Sequence, residues 1–138
     1  MSFSRLFVLC ITLTLLTAGP LTGCSSGPDP AMELGGINLG EALDGLLART
    51  QQIMSHVNSI DSAKKANEDL MRLNQDYDDL IYHVPKLSEE GRLALAKKSA
   101  RALPEMQALA NRIHEMPALD DILGETLDTM VENLSLVR

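Results

Sequence analysis

Aromatic residues are scarce in this chain of 138 residues, which contains no tryptophan, two tyrosines and two phenylalanines. Both phenylalanines, Phe3 and Phe7, lie in an apolar N-terminal run, so Tyr77 and Tyr82 are the aromatic residues of the rest of the chain. Proteins that bind single strands of nucleic acid stack the bases on several exposed rings. The sequence offers no such platform for bases, and no aromatic shelf for a sugar.

Positively charged residues are also few, with 12 Lys and Arg against 19 Asp and Glu. The formal net charge is −7, and because Arg5 is the single charged residue before Cys24, the remainder carries −8. The basic residues are scattered and form no stripe, whereas a nucleic-acid-binding domain needs one. We therefore expect no nucleic-acid partner.

Cysteine is represented twice, by Cys10 and Cys24. If the apolar N-terminal run is removed, one cysteine is left, and an intrachain disulfide becomes impossible. No CxxC motif and no Cys/His spacing typical of a zinc site occurs. Cys24 needs another explanation.

The N-terminal run suits a signal peptide. Its apolar core, residues 6–18, has 13 residues, whereas a membrane-spanning helix needs about 20. The sequence "LTGC" (residues 21–24) follows, with an apolar residue at −3 and small residues at −2 and −1. It resembles the lipobox of bacterial lipoprotein signal peptides. The resemblance implies cleavage before Cys24 and attachment of acyl chains to the Cys24 sulfur and amino group.

This resemblance implies that the mature protein is located at a membrane. Two or more acyl chains hold a protein stably on a bilayer. Ser25, rather than an aspartate, follows Cys24; in a Gram-negative host this implies the outer membrane, facing the periplasm. The alternative is an ordinary signal peptide cut elsewhere. We predict a signal peptide over residues 1–23, a flexible Ser/Gly/Pro-rich tether over 24–36 and a folded body over 37–138.

The body has an apolar period of 3.5 residues, which predicts helices packed as in a left-handed coiled coil. We expect an all-α fold, an antiparallel up-down four-helix bundle with heptad-like core packing, and no strand. Helices are predicted near residues 38–60, 62–84, 89–115 and 117–136. The predicted seams comprise Leu39, Leu43, Leu46, Thr50, Ile53, Val57 and Ile60; Ala63, Ala66, Leu70, Leu73, Tyr77, Leu80 and Val84; Leu95, Ser99, Ala102, Met106, Leu109, Ile113 and Met116; and Leu123, Leu127, Met130, Leu134 and Val137.

Capping residues support these boundaries. Asp61 and Ser88 are predicted N-caps of the second and third helices, and Pro117 suits the first position of the fourth. Pro104 falls inside the third helix, where proline removes one backbone hydrogen bond. Because the heptad phase continues past it, we expect a kink, with a break into two helices as the alternative.

The sequence contains few candidate residues for catalysis or metal binding. A di-iron bundle needs Glu-x-x-His pairs, but none of the three histidines has a glutamate three residues before it. We expect His56, His83 and His114 to face solvent near helix C-termini. A weak metal site shared by His56 and His114, which should lie at one end of the bundle, is the alternative.

Two further patterns have structural explanations. The stretch "NQDYDDL" (residues 74–80) lacks the spacing of a calcium loop and is predicted to be an exposed acidic face, with Tyr77 in the core. Tyr82 lies off the seam and is a candidate contact residue. The dispersed methionines are predicted to pack in the core rather than bind copper. They are Met54, Met71, Met106, Met116 and Met130.

We therefore expect a membrane-anchored lipoprotein of the bacterial envelope that is not an enzyme and binds no cofactor or metal. Its predicted partners are the membrane, through Cys24, and a protein partner or a second copy. The alternative is a small apolar ligand bound inside the bundle near Pro104.

Overall fold

A computed structural model describes residues 27–137, and these form the expected all-α antiparallel four-helix bundle. The predicted signal peptide and Cys24 lie outside the described residues. Short 3-10 turns cover Pro30–Met32 and Val84–Lys86. The helices are α1 (Leu39–Ser55), α2 (Ile60–His83), α3 (Glu89–His114) and α4 (Pro117–Leu136).

The order of the helices around the bundle is α1, α2, α4, α3. α2 lies beside α4 over its length, α4 beside α3, and α1 beside α2, while α1 and α3 touch least among the four sides. Hydrogen bonds from Asn74 to the Thr126 carbonyl (3.2 Å) and from Asn133 to Asp78 (3.0 Å) show that α2 and α4 run parallel. Consecutive helices are antiparallel, as predicted, but α2 and α3 lie on a diagonal.

The heptad seams of α2 and α4 form most of the core. Every predicted seam residue of α2 and α4 is buried, together with Val84 and Val137 just beyond these helices. Leu95 and Met106 on α3 and Leu43 on α1 meet them. Two polar seam residues are buried as well and use their hydroxyls within the bundle: Thr50 donates to the Leu46 carbonyl and Ser99 to the Leu134 carbonyl.

The connection between α1 and α2 differs from the prediction. α1 ends at Ser55 rather than near residue 60, and the N-cap of α2 is Ser59 rather than Asp61. Ser59 and Ser62 form a reciprocal capping box, which satisfies the first amides of α2 more fully than Asp61 could from inside the helix. Because this cap requires an extended residue at 59, α1 has to end before it.

Helix α3 continues through Pro104 without a break, so the alternative of two shorter helices is wrong. Pro104 and Ala100 both lie on the exposed face of α3. The carbonyl of Ala100, which loses its helical partner at Pro104, therefore points towards solvent, where water can bond to it.

The segment before α1 is more ordered than the predicted tether. Strands β1 (Glu33–Leu34) and β2 (Ile37–Asn38) form a small antiparallel hairpin whose two turn residues, Gly35 and Gly36, have positive φ angles of 59° and 82°. Two such glycines are what a tight hairpin turn requires. Met32, just before the hairpin, is buried in the core. Strands of two residues are too short to give a periodic sequence signal, so the prediction of no strand was wrong here.

Within residues 27–137, no helix has the length and apolar character required to cross a membrane.

Candidate functional site: a groove between α1 and α3

An apolar groove of about 920 Å³ opens between the C-terminal halves of α1 and α3. The turn between α1 and α2 and the start of α4 close its far end. We call this feature the α1/α3 groove, and the end of the bundle where it lies the groove end. Its lining comprises Leu47, Gln51, Met54, Ser55, Val57, Asn58, Ser59, Ile60, Ala102, Glu105, Met106, Leu109, Arg112, Ile113, Met116, Ala118 and Leu119.

The groove consists of a buried floor and half-exposed walls. Met106 and Ile113 of α3 are buried and belong to the core. Leu47 of α1 and Leu109 of α3 are half-buried and both line the opening. The surface offered by the groove is therefore apolar and continuous with the hydrophobic core.

Several lining residues were predicted to be covered by neighbouring helices. Val57, Ala102 and Leu109 are half-exposed, and Ile60 and Met116 are each 42% exposed. All five are heptad seam positions. The seam stays open because α1 ends at Ser55 and does not pack closely against this part of α3.

The other half of the same side is closed. The Lys98 ammonium on α3 lies 2.6 Å from the Asp44 carboxylate on α1 and joins the two helices there. No ion pair joins α1 to α3 at the groove end among residues 27–137. The two helices are thus held together near the start of α1 and separate towards its end.

Two charged residues on α3 line the groove. Glu105 and Arg112 are two helical turns apart, and neither makes an ion pair or side-chain hydrogen bond with another described residue. Ser55 and Ser59, by contrast, use their hydroxyls locally, with the Gln52 carbonyl and with Ser62. The groove therefore offers mainly apolar contact, with one carboxylate, one guanidinium and the side-chain amides of Gln51 and Asn58.

Each of the three histidines contacts different residues. The ring of His56 contacts the Gln52 carbonyl at 2.7 Å, and His83 lies 3.3 Å from the Lys86 ammonium. His56 and His114 do lie at the same end of the bundle, as predicted, but they make no contact with each other. No group of three His, Cys, Asp or Glu side chains in residues 27–137 is arranged to hold a metal ion.

His114 has a more specific environment than a solvent-facing residue. Its Nδ1 lies 2.6 Å from Asp120 and its Nε2 3.0 Å from Asp128, both on α4. The hydrogen bonds to Asp120 and then to Asp128 raise the pKa of His114 above its ordinary value. The imidazole, clamped between two carboxylates, joins α3 to α4 directly beside the groove. The helical pattern predicts that His114 lies on α3, but it carries no information on the two partners that α4 supplies.

The acidic stretch is an exposed face, as predicted, and it also makes contacts between helices. Asp76 lies 2.9 Å from Arg49 on α1, and Asp78 accepts the Asn133 amide. Tyr77, between them, is fully buried, and its hydroxyl has no hydrogen-bond partner among the described residues. Burial raises the pKa of Tyr77, and the nearby Thr50 hydroxyl opposes this rise only in part.

The methionines are not all in the core, contrary to the prediction, and three of them line the same feature. Met106 and Met130 are buried as predicted, whereas Met71 is 57% exposed on α2. Met54, Met106 and Met116 all line the α1/α3 groove. The groove itself was not predicted. Its signal was the apolar residues outside the seams, Leu47 and Leu119 among them, which widen the stripe beyond what three neighbouring helices can cover.

No family model matches this chain, and no curated protein and no solved structure is detectably similar to it.

Proposed function

We propose that this protein is a lipid-anchored, non-catalytic module of the bacterial envelope that binds an amphipathic helix of a partner protein in the α1/α3 groove. The observation that carries the binding part is the uncovered heptad seam of α3, at Ala102 and Leu109, which Met116 continues in the turn to α4. A seam with this spacing complements another helix, because helices pack by inserting side chains between residues spaced three and four apart.

The dimensions of the groove support a helical occupant. Its α3 wall extends from Ala102 to Ile113, which is about 17 Å of helix. A partner segment of about 12 residues would cover it. Met54 and Met116 line its side and far end, and methionine adapts its shape readily to helical ligands.

The charges of the groove suggest what the partner helix carries. Glu105 and Arg112 are two turns apart on one helix and lack partners among the described residues. A partner helix with a basic residue and an acidic residue two turns apart on the edge of its apolar face would pair with both. Such pairs fix the direction and register of docking more than the affinity.

The anchor part of the proposal is supported by the N-terminal sequence alone. Lipid on Cys24 would attach the chain to a bilayer, in the outer membrane if the host is Gram-negative. The hairpin that leads into α1 lies at the opposite end of the bundle from the groove. The 26 residues of α3 span about 39 Å, so the groove would face away from the membrane and be accessible to periplasmic proteins.

The anchor is tested by replacing the cysteine. Cys24→Ala should release the protein from the membrane fraction and prevent labelling with a radioactive fatty acid. A variant that still incorporates the label would contradict the anchor. Ser25→Ala, which leaves the cysteine in place, is the matched control and should stay lipidated.

The groove is tested by photo-crosslinking in living cells. A photoreactive amino acid at Leu47 or Leu109 should crosslink to one protein, through a segment with helical apolar spacing and charges two turns apart. The same amino acid at Met71, exposed on α2, is the control and should give no such adduct. The Leu109→Glu substitution should abolish the Leu47 adduct. An adduct with a second copy of this chain, or no protein adduct at all, would contradict the proposal.

A small apolar ligand is the second candidate, and one observation favours it. The groove volume of about 920 Å³ lies within the range of about 300–1,000 Å³ typical of ligand pockets, and its wall begins next to Pro104. The test is titration with the fluorescent probe N-phenyl-1-naphthylamine. Saturable binding of one probe per chain that Leu109→Glu abolishes would favour this candidate; fluorescence equal in both proteins would exclude it.

A further inference from the structure

The end of the bundle opposite the groove shows a second unusual surface. This end, which we call the tether end, contains the hairpin, the starts of α1 and α3 and the ends of α2 and α4. Seven large apolar residues are exposed in residues 27–137, and four of them lie here. They are Ile37 (62% exposed), Tyr82 (68%), Leu93 (57%) and Leu136 (55%).

These four residues come from four different elements. Ile37 is in the hairpin, Tyr82 in the last turn of α2, Leu93 in the second turn of α3, and Leu136 is the last residue of α4. Single exposed apolar residues are ordinary on a protein surface. Their concentration at one end, from elements that the fold brings together, is what requires an explanation.

Tyr82 has surroundings typical of a membrane interface. The Lys86 ammonium lies 3.8 Å from the centre of the Tyr82 ring, and the His83 ring meets it edge-on at 5.4 Å. Tyrosine is enriched at the level of lipid headgroups, and lysine extends its ammonium towards water from such positions. Tyr82 and Lys86 together match this chemistry.

The chain that would carry the anchor is fixed to this end. The carbonyl of Asp29 accepts the Asn38 amide at 2.8 Å, and the Asp29 carboxylate accepts the Ala31 amide at 2.9 Å. The Ala31 carbonyl packs closely against Gly91 of α3. Asp29 is therefore held on the body, so residues 29–36 belong to the folded part of the chain and not to a tether as predicted.

This short connection brings the tether end to the bilayer. Four residues lie between Cys24 and Asp29, so the two are five Cα–Cα steps apart, and a fully extended chain of that length spans at most about 18 Å. A lipidated Cys24 would consequently keep the tether end within about 18 Å of the headgroups. An apolar surface held at that distance meets lipid at a high effective concentration.

We propose that the tether end lies on the bilayer surface and inserts Ile37, Tyr82 and Leu136 among the lipid headgroups. This inference rests on the proposed anchor at Cys24 and adds to it a fixed orientation of the bundle. The expected surface is one of zwitterionic lipids, because the net charge of −8 that follows the signal peptide disfavours anionic ones. The groove then points away from the membrane.

The test uses spin labels on the full lipidated chain in phosphatidylcholine vesicles. Once residues 1–23 are removed and Cys24 is lipidated, no free thiol is left, so a single introduced cysteine is labelled uniquely. Labels on Ile37→Cys, Tyr82→Cys and Leu136→Cys should collide severalfold more with oxygen than with a water-soluble nickel complex. Met71→Cys and Met116→Cys, exposed elsewhere, are the controls and should favour nickel.

The outcomes separate this inference from the anchor. If the chain is lipidated and vesicle-bound but all five labels favour nickel, the anchor holds and the docking surface is wrong. Strong immobilisation of the three labels without access to oxygen would indicate contact with a protein or a second copy, which also contradicts the inference. A chain that is neither lipidated nor vesicle-bound would contradict the anchor and the docking together.

Discussion

The two ends of this bundle are built from the same heptad pattern but are packed differently. At the tether end, Lys98 and Asp44 join α3 to α1, and Met32, just before the hairpin, packs against the start of α1. At the groove end, α1 stops at Ser55, and the seam of α3 is left half-exposed. A heptad repeat thus marks where helices can pack, while the lengths of the helices decide where they do.

The largest expected difference between the two ends is in the cost of removing a leucine from α3. Leu95 is fully buried, whereas Leu109 is half-exposed in the groove wall. Leu95→Ala should lower the free energy of unfolding by about 2–5 kcal/mol, because it leaves a cavity in a close-packed core. Leu109→Ala should cost about 1 kcal/mol or less, since water already reaches this site. Urea denaturation of both variants measures the difference.

Equal losses in the free energy of unfolding for Leu95→Ala and Leu109→Ala would contradict this difference between the two ends. Equal losses would mean that the groove is closed in solution, by movement of α1 or by a second copy. Sedimentation velocity would separate these two explanations, because only the second raises the molecular mass.

The second prediction concerns the packing of the hairpin at the tether end. A Cβ added at Gly91 would lie 2.1 Å from the Ala31 carbonyl oxygen, so backbone has to move. Gly91→Ala should destabilise the protein by about 1–3 kcal/mol and increase amide exchange in residues 31–38. Gly45→Ala is the matched control, because no atom lies within 4 Å of its new Cβ, and it should stabilise α1 by about 0.5–1 kcal/mol.

An unchanged exchange rate in residues 31–38 of Gly91→Ala would show that the 3-10 turn before the hairpin is not packed on α3. In that case the connection from Cys24 would be as long and flexible as the sequence alone suggests, and the bundle could rotate freely above the membrane.

The sequence predicts the packing of α2 and α4 well and the packing between α1 and α3 poorly. The seams of α2 and α4, such as Leu70 and Leu127, are buried because each faces helices on two sides. The period of 3.5 residues gives no information on which helices become neighbours, so the poor contact between α1 and α3 was not predictable. The early end of α1 depended on Ser59 and Ser62, whose reciprocal cap competes with a longer helix.

The third prediction concerns Tyr77, which lies in the core contributed by α2. Its hydroxyl is buried without a hydrogen-bond partner among the described residues, and this is unfavourable. Tyr77→Phe should therefore leave the stability unchanged or raise it by up to about 1 kcal/mol. A loss of more than about 1 kcal/mol in urea denaturation would show that the hydroxyl is bonded, to Thr50 or to water. Thr50→Val, which removes the nearest hydroxyl, tests the first of these partners.

The smallest expected effect is the pH dependence of the His114 clamp at the groove end. Asp120 and Asp128 raise the pKa of His114 in the folded protein, so folding takes up protons and the clamp stabilises most at pH values below the ordinary pKa of about 6.5. This contribution is lost as the pH rises through the raised pKa. The stability difference between the wild type and His114→Gln should accordingly be larger at pH 6 than at pH 9.

The contact between His114 and its carboxylates can be weakened without replacing the histidine. Such a variant separates the effect of the carboxylates from the packing of the imidazole ring. A Cβ at Gly124 would lie 2.2 Å from a carboxylate oxygen of Asp120, so Gly124→Ala should move that side chain away from His114. The pKa of His114, followed by NMR of its ring protons, should then fall towards its ordinary value, and Asp128→Asn should lower it less because the bond to Asp120 is the stronger one. A pKa that both variants leave unchanged would show that the carboxylates do not hold the ring.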